Sequence, residues 1–360
     1  MSENTPTWSR ITARLVRGEE LDAAETTWAM DEVMSGSASA VQLAGFLVAL
    51  QAKGVTSGEL EALADAMVAH ARPVRATDHA VDIVGTGGDL AHTVNISTMA
   101  SMIIASTGRT VVKHGNRSSS SRSGSADVLE VLGIRLDLPV PVVEELVDRI
   151  GMTFLFAQVF HPSMRYFAEA RKGLGIPTVM NVLGPITNPA RPRAGAVGVA
   201  DAALAPIVAR VFAARGSSAL VFRGQDGLDE LTVTAPADLW EVRGGQVRRH
   251  VLDPVALLGI PRSEHDALRG GSAEENAEVV RSLFAGDREG RMGPIRDAVL
   301  LNAAAGVLAF DGIDQAASDG FEARFAHSFE EAREALDSGR PAVLLELWAE
   351  ASQEASVTGG

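Results

Sequence analysis

The sequence predicts an α/β fold in two parts: a small all-helical domain, then a larger α/β domain with a central, mostly parallel sheet. Three observations carry this. Residues 1–75 hold helical signals only. From Val81 onward, short β-branched or apolar runs alternate with helical stretches, as parallel strands joined by crossover helices do. The chain is 360 residues long, enough for two domains or one large α/β unit.

The helical part shows its starts plainly. Asp22 with Glu25, Ser39 with Gln42 and Thr56 with Glu59 have capping-box spacing. Apolar sets at helical spacing follow, such as Leu43, Phe46, Leu47 and Leu50, with Gly18, Gly36 and Gly54 between the helices and Pro73 breaking the pattern. The strands expected next are "VDIVGT", "TVVKH", "TFLFA", "AGAVGVA" and "SALVFRG", with helices around residues 97–108, 125–132, 142–150, 163–174 and 203–215. We expect a helical domain at 1–76, completed by a segment near 163–190, and an α/β domain at 77–360. In such sheets ligands sit beyond the carboxyl ends of the strands. The unusual residues of this chain fall in those loops.

Composition narrows the function. The net charge of −14 opposes a protein that holds nucleic acid on a broad basic surface. An anionic ligand would need a local cluster of cations or a metal. With no cysteine there is no disulfide, thiol nucleophile or thiolate metal site, which fits a cytoplasmic enzyme. No run of about 18 apolar residues suggests a membrane span. The start "MSENTPTWSR" lacks a basic stretch followed by an apolar one, so no secretory signal is expected.

Three motifs carry chemistry. In "DIVGTGGDLAHTVNIST", Gly85, Gly87 and Gly88 let a ligand approach the backbone, and Asn95, Ser97 and Thr98 mark a helix start whose free N–H groups favour an anion. The pattern is neither G-x-G-x-x-G nor a Walker loop, and alone it reads equally well as a tight turn with an ordinary cap. In "KHGNRSSSSRSGSAD", Lys113, His114, Asn116 and Arg117 end a strand and Ser118, Ser119, Ser120 and Ser121 follow; alone this reads as a solvated loop. In "DGLDELT", Asp229 and Glu230 are hard-oxygen ligands that suit Mg²⁺ alongside phosphates and water, and alone are surface charge. Together the three describe a site for a phosphorylated, metal-bound substrate.

The motifs "GTGGD…NIST", "KHGNR…SGSADVLE", "HPSMR", "NVLGPITNPARP" and "DGLDELT", in this order over nearly the whole chain, resemble the anthranilate phosphoribosyltransferases, tryptophan-pathway members of the type-3 glycosyltransferase group. The resemblance implies transfer of the phosphoribosyl group of phosphoribosyl pyrophosphate to anthranilate, with release of pyrophosphate and with Mg²⁺ at two sites. It implies a donor site of Gly85, Gly88, Asp89, Thr93, Asn95, Ile96, Ser97, Thr98, Lys113, His114, Gly115, Asn116, Arg117, the four serines 118–121 and Ser125. It assigns Gly85, Asn116 and Arg171 to anthranilate, and Ser97, Asp229 and Glu230 to metal. It implies no nucleophile or general base, which agrees with the absence of a Ser–His–Asp set. Breaking the ribose C1–O bond asks instead for a neutralised leaving group and a positioned amine. A cleft closed by domain motion and a homodimer through the helical domain are implied too, with no nucleic-acid or membrane partner. Three residues depart from the family pattern: Leu90 in place of a glycine, Gln158 in place of a proline, and Met180 in place of a phenylalanine. Gln158 falls near the acceptor and leaves room for a substituted aromatic amine. A pyrimidine nucleoside phosphorylase would lack "KHGNR" and the acidic pair, and a nucleic-acid-binding paralogue would have lost that pair and gained a basic face.

Overall fold

A computed structural model describes residues 5–118, 122–314 and 319–354. The chain begins with four helices: α1 (Trp8–Val16), α2 (Ala23–Met34), α3 (Ala40–Lys53) and α4 (Ser57–Ala69). Each of the last three starts on the capping box read from the sequence. Asp22 Oδ1 accepts from the Glu25 N–H at 2.8 Å, Ser39 Oγ from Gln42 at 3.2 Å and Thr56 Oγ1 from Glu59 at 3.3 Å, and each acid or amide answers back to its cap. The four helices do not enclose their core alone. Ile11, Leu15, Phe46, Leu50 and Leu63 share one apolar cluster with Phe167, Ala170, Val179 and Leu183, and with Val208 and Phe212 behind the sheet.

The sheet has seven strands: β1 (Val81–Gly85), β2 (Val111–Gly115), β3 (Met152–Phe156), β4 (Ala194–Gly198), β5 (Ser218–Gly224), β6 (Ala237–Arg243) and β7 (Gln246–Leu252), in the order β3-β2-β1-β4-β5-β6-β7. The first five are parallel, and they are the five expected. Their register aligns Gly85 with Gly198 and Gly115 with Phe156, so their carboxyl ends form one ledge. The antiparallel β6–β7 edge is an addition to the expected strands. Its signal is the pair Gly244 and Gly245, at φ 56° and 73°, which forms the two-residue hairpin turn that two left-handed residues permit.

Helix α5 (Ile96–Ser106) and the helix Met292–Asp311 cover the face bearing Ile83, Val111 and Leu220. The latter is, among the described residues, the one helix long and apolar enough to cross a membrane, although no such run is expected from the sequence. Its apolar residues pack on several sides. Val299 through Ala305 are all buried, as in the central helix of a large domain. Helix α7 (Val140–Ile150) packs on β3, and helix α6 (Ser125–Val131) packs on the helix Ala273–Phe284.

Candidate active site

The first wall follows β1. A Cβ on Gly85 would strike the Asp229 carboxylate, and one on Gly198 the Asp229 carbonyl, so glycine at both strand ends lets the acidic loop cross the ledge. The Gly87 N–H donates to Asp229 Oδ2 at 2.6 Å. Gly87 and Gly88 are left-handed, and so are Leu90 at φ 60° and His92 at φ 52°. The chain then enters α5 at Ile96, with Asn95 in the cap position.

The second wall is the end of β2. Lys113 is 1 % exposed, and its Nζ donates to the Ile83 carbonyl and, at 3.3 Å, to Ser97 Oγ. Burial lowers its pKa while Asp82 and Glu230 oppose the shift. Asp82, also buried, is raised to about 6 by desolvation although Lys113 pulls the other way, so burial outweighs attraction for both partners. Asn188 explains "LGPITNP": its amide donates to Asp82 Oδ2 at 2.9 Å and to the Val112 carbonyl at 2.7 Å, tying that segment to β1 and β2.

Of Lys113, His114 and Arg117, Lys113 is the one whose nitrogen reaches Ser97 at the cleft floor. His114 is driven down to about 3 by burial and by His161, whose ring lies 5.1 Å away. His114 Nδ1–H donates to the Gly184 carbonyl at 3.2 Å and His161 Nε2–H to that of Thr187 at 2.8 Å. Their other ring nitrogens are buried with no partner among the described residues. Arg117 pairs with Asp127 at 2.8 Å and Glu130 at 2.6 Å and lies over the Phe156 ring. Its guanidinium thus ties the loop to α6 in this structure, where the family resemblance gives it to the donor. The two acids recruit it because they stand one helical turn apart on the face the loop crosses.

The third wall is acidic. Desolvation, and then the Asp89 carboxylate, raises Asp229 to about 7, and desolvation followed by Asp229 raises Glu230 well above its ordinary value. Asn302, fully buried in the long core helix, accepts from the Leu231 N–H at 3.2 Å and donates to the Leu231 carbonyl at 2.7 Å, fixing the chain just after the pair. Crowded carboxylates of raised pKa are a hard-oxygen set short of positive charge, which suits Mg²⁺. Among the described residues no three His, Asp or Glu side chains close around one point, so such an ion would take its remaining ligands from phosphate and water.

The walls enclose a cavity of about 300 Å³ between the ledge and Met67 of α4. It is lined by Gly85, Gly88, Asp89, Thr93, Asn95, Ile96, Ser97, residues 113–118, Ser125, Arg171, Asp229 and Glu230. Thr98 does not reach it: it is fully buried, and its hydroxyl donates to Ser125 Oγ at 3.0 Å. Ser119, Ser120 and Ser121 lie outside the described residues. A second chamber of about 460 Å³ shares Asn116, Arg171 and Met180 with the first and extends past Gln158 and Arg165. Arg171 is exposed, on the helix Ala168–Leu174. Asp82, Asn188, His161, Asn276 and Asn302 were missed from the sequence. A single Asn inside the apolar run "AVLLNAAAGVLAF" was a usable signal, since a polar group there must find a buried partner.

Residues 9–71 match the helical bundle domain of a glycosyl transferase family, and residues 77–342 match that family's a/b domain. An anthranilate phosphoribosyltransferase of Arthrobacter sp. (strain FB24) is 55% identical over 342 residues, covering 95% of each chain. The crystal structure of anthranilate phosphoribosyltransferase from Thermus thermophilus superposes with a TM-score of 0.86 at 39% identity, over 95% of this chain and 99% of that one. The Saccharomyces cerevisiae enzyme in complex with phosphoribosyl pyrophosphate and Mg superposes with a TM-score of 0.84 at 26% identity, over 96% and 98%.

Proposed function

The chain belongs to the anthranilate phosphoribosyltransferase family, and from that we infer that it transfers the phosphoribosyl group of phosphoribosyl pyrophosphate to the amine of anthranilate, a step of tryptophan biosynthesis. The observation that carries the reading is the single cleft in which a glycine turn, a buried lysine, an acidic pair and an arginine meet.

In our reading Gly85 to Asp89 and Asn95 to Ser97 hold the donor's phosphates through backbone N–H groups and the start of α5. Lys113 lies beneath them, and a phosphate arriving there favours the charged form of its amine, which burial alone opposes. Asp229, Glu230 and Ser97 would hold Mg²⁺, at two sites; bound there, the ion neutralises charge gathering on the departing pyrophosphate. Asn116 and Arg171 stand at the junction of the two chambers. Arg171 offers its fork to the acceptor's carboxylate, leaving the amine to face the ribose C1. No base is assigned, because an aromatic amine is nearly neutral and attacks without prior loss of a proton. The second chamber is the acceptor's way in. Gln158 there gives a second reading, a substituted anthranilate as acceptor.

Three further parts belong to the same reading. The domain boundary falls near residue 76, with the segment near 163–190 completing the helical unit; the shared apolar cluster supports this. The chain forms a homodimer through the helical domain, supported by an apolar groove between α1 and α3 that leaves Val16 73% and Val41 82% exposed. The enzyme works in the cytoplasm, where its biosynthetic role would lie.

The test is loss of anthranilate fluorescence with purified protein, phosphoribosyl pyrophosphate and Mg²⁺, with and without chelator. A fast, chelator-sensitive loss is expected; none, with donor binding intact by calorimetry, would send the search to other aromatic amines. Replacing Asp229 and Glu230 together by Ala is expected to leave folding intact and remove most turnover. Normal turnover in that variant would end the metal assignment.

A further inference from the structure

Asn95 stands at the N-cap of α5, where an asparagine ordinarily turns its carboxamide back onto the N–H groups of the first turn. Here it makes no such bond. Its carboxamide is drawn sideways: Oδ1 accepts from Asn276 Nδ2 at 2.8 Å, and Nδ2 donates to the Ser123 carbonyl at 3.3 Å. Asn276 comes from the helix Ala273–Phe284, 181 residues further along the chain. It is 3% exposed, and its oxygen accepts from the Gly271 N–H at 2.8 Å. That bond fixes its orientation, since an N–H can only face the oxygen.

The segment carrying Asn276 cannot drift from the donor loop. The Val94 N–H donates to the Leu268 carbonyl at 2.9 Å, and the Gly270 N–H to that of His92 at 2.7 Å. A Cβ on Gly270 would crowd the Thr93 carbonyl at 2.6 Å, so only glycine allows this approach.

We propose that Asn276 is a positioning residue of the donor site: by holding the Asn95 carboxamide off its own helix, it keeps the first turn of α5 and the Ser97 hydroxyl open to a phosphate in the cleft. This rests on the donor-site reading above. With Asn276 removed, Asn95 is free to adopt the ordinary capping rotamer, and its oxygen then takes the place of a phosphate oxygen. Donor binding falls because the protein's own cap competes with it, while the acceptor's contacts at Asn116 and Arg171 are untouched.

The test is a double-mutant cycle of Asn276→Ala and Asn95→Ala, read as steady-state constants and as donor binding by calorimetry. Asn276→Ala alone is expected to raise the KM for phosphoribosyl pyrophosphate about tenfold, a loss on the order of 1.4 kcal/mol. The anthranilate KM and kcat are expected to stay within about twofold. In the Asn95→Ala background, with no carboxamide left to release, the same change is expected to alter the donor KM by less than about twofold. Equal effects in both backgrounds, or a fall in kcat without a change in donor KM, overturn the proposal. Asn276→Leu, a neutral near-isostere, repeats the cycle if the alanine variant does not fold. If neither folds by circular dichroism, Asn276 serves the fold and the proposal fails. Turnover by the unaltered chain is read separately. Its absence defeats the functional reading, whereas turnover without coupling in the cycle defeats only the role of Asn276.

Discussion

Among the described residues, Leu90, His92 and Arg191 are the non-glycines with left-handed backbone, and Leu90 is the apolar one. It sits at φ 60°, and it is 71% exposed, so little packing offsets the strain. An L-residue in the left-handed region costs roughly 1–2 kcal/mol, and glycine there gives back about half through its freedom in the unfolded chain. Leu90→Gly is therefore expected to raise stability by about 0.5–1 kcal/mol, seen as a higher urea midpoint at unchanged slope. A lower midpoint would show that Leu90 makes contacts that outweigh its strain. Arg171 poses a different residue-scale question. It is exposed, so its charge adds little to stability, and its proposed role is to meet the acceptor's carboxylate. Arg171→Ala is expected to raise the KM for anthranilate more than that for the donor in steady-state assays. An equal effect on both, or on neither, would count against the contact.

At the scale of elements, the clamp of Asp82 and Asn188 joins β1, β2 and the segment after Gly184, and it carries a pH signature. Asp82 titrates near 3.8 when unfolded and at about 6 when folded, because burial outweighs Lys113. Between those values the folded chain binds the extra proton. The stability this group contributes is full below about pH 3.8 and is lost as pH rises through about 6, a swing on the order of 3 kcal/mol. Urea unfolding from about pH 4 to 7 should therefore show the parent losing stability relative to Asp82→Asn as pH rises. A constant difference would mean that Asp82 stays ionised throughout. The capping boxes are simpler elements. Ser39→Ala is expected to cost about 1 kcal/mol in urea unfolding and to leave KM and kcat unchanged, since α3 lies away from the cleft.

For the whole molecule, the groove between α1 and α3 is the surface that assembly would cover. If the chain dimerises as proposed, Val41→Asp is expected to turn the dimer into monomers in light scattering coupled to size-exclusion chromatography; an unchanged dimer mass would rule out this groove as the interface. The sequence determined the features that depend on near neighbours and fixed spacing. Three capping boxes, five strands and the glycine turns at their ends follow from offsets of about two to four residues. It also brought Gly85, Lys113, Asp229 and Glu230 forward as candidates from their chemistry, and Arg171 through the family resemblance; the fold gathers all five along one cavity. The hairpin of β6 and β7, outside the expected strands, is legible in its Gly-Gly turn. Tertiary structure alone decided the rest. Whether His114 is charged depends on burial and on His161; where Arg117 points depends on acids across the loop; and Asp82 meets Asn188 106 positions away, as Asn95 meets Asn276 181 away. Such pairs obey no spacing rule, and a charge state depends on how much water the finished fold excludes, a property no short stretch of chain possesses.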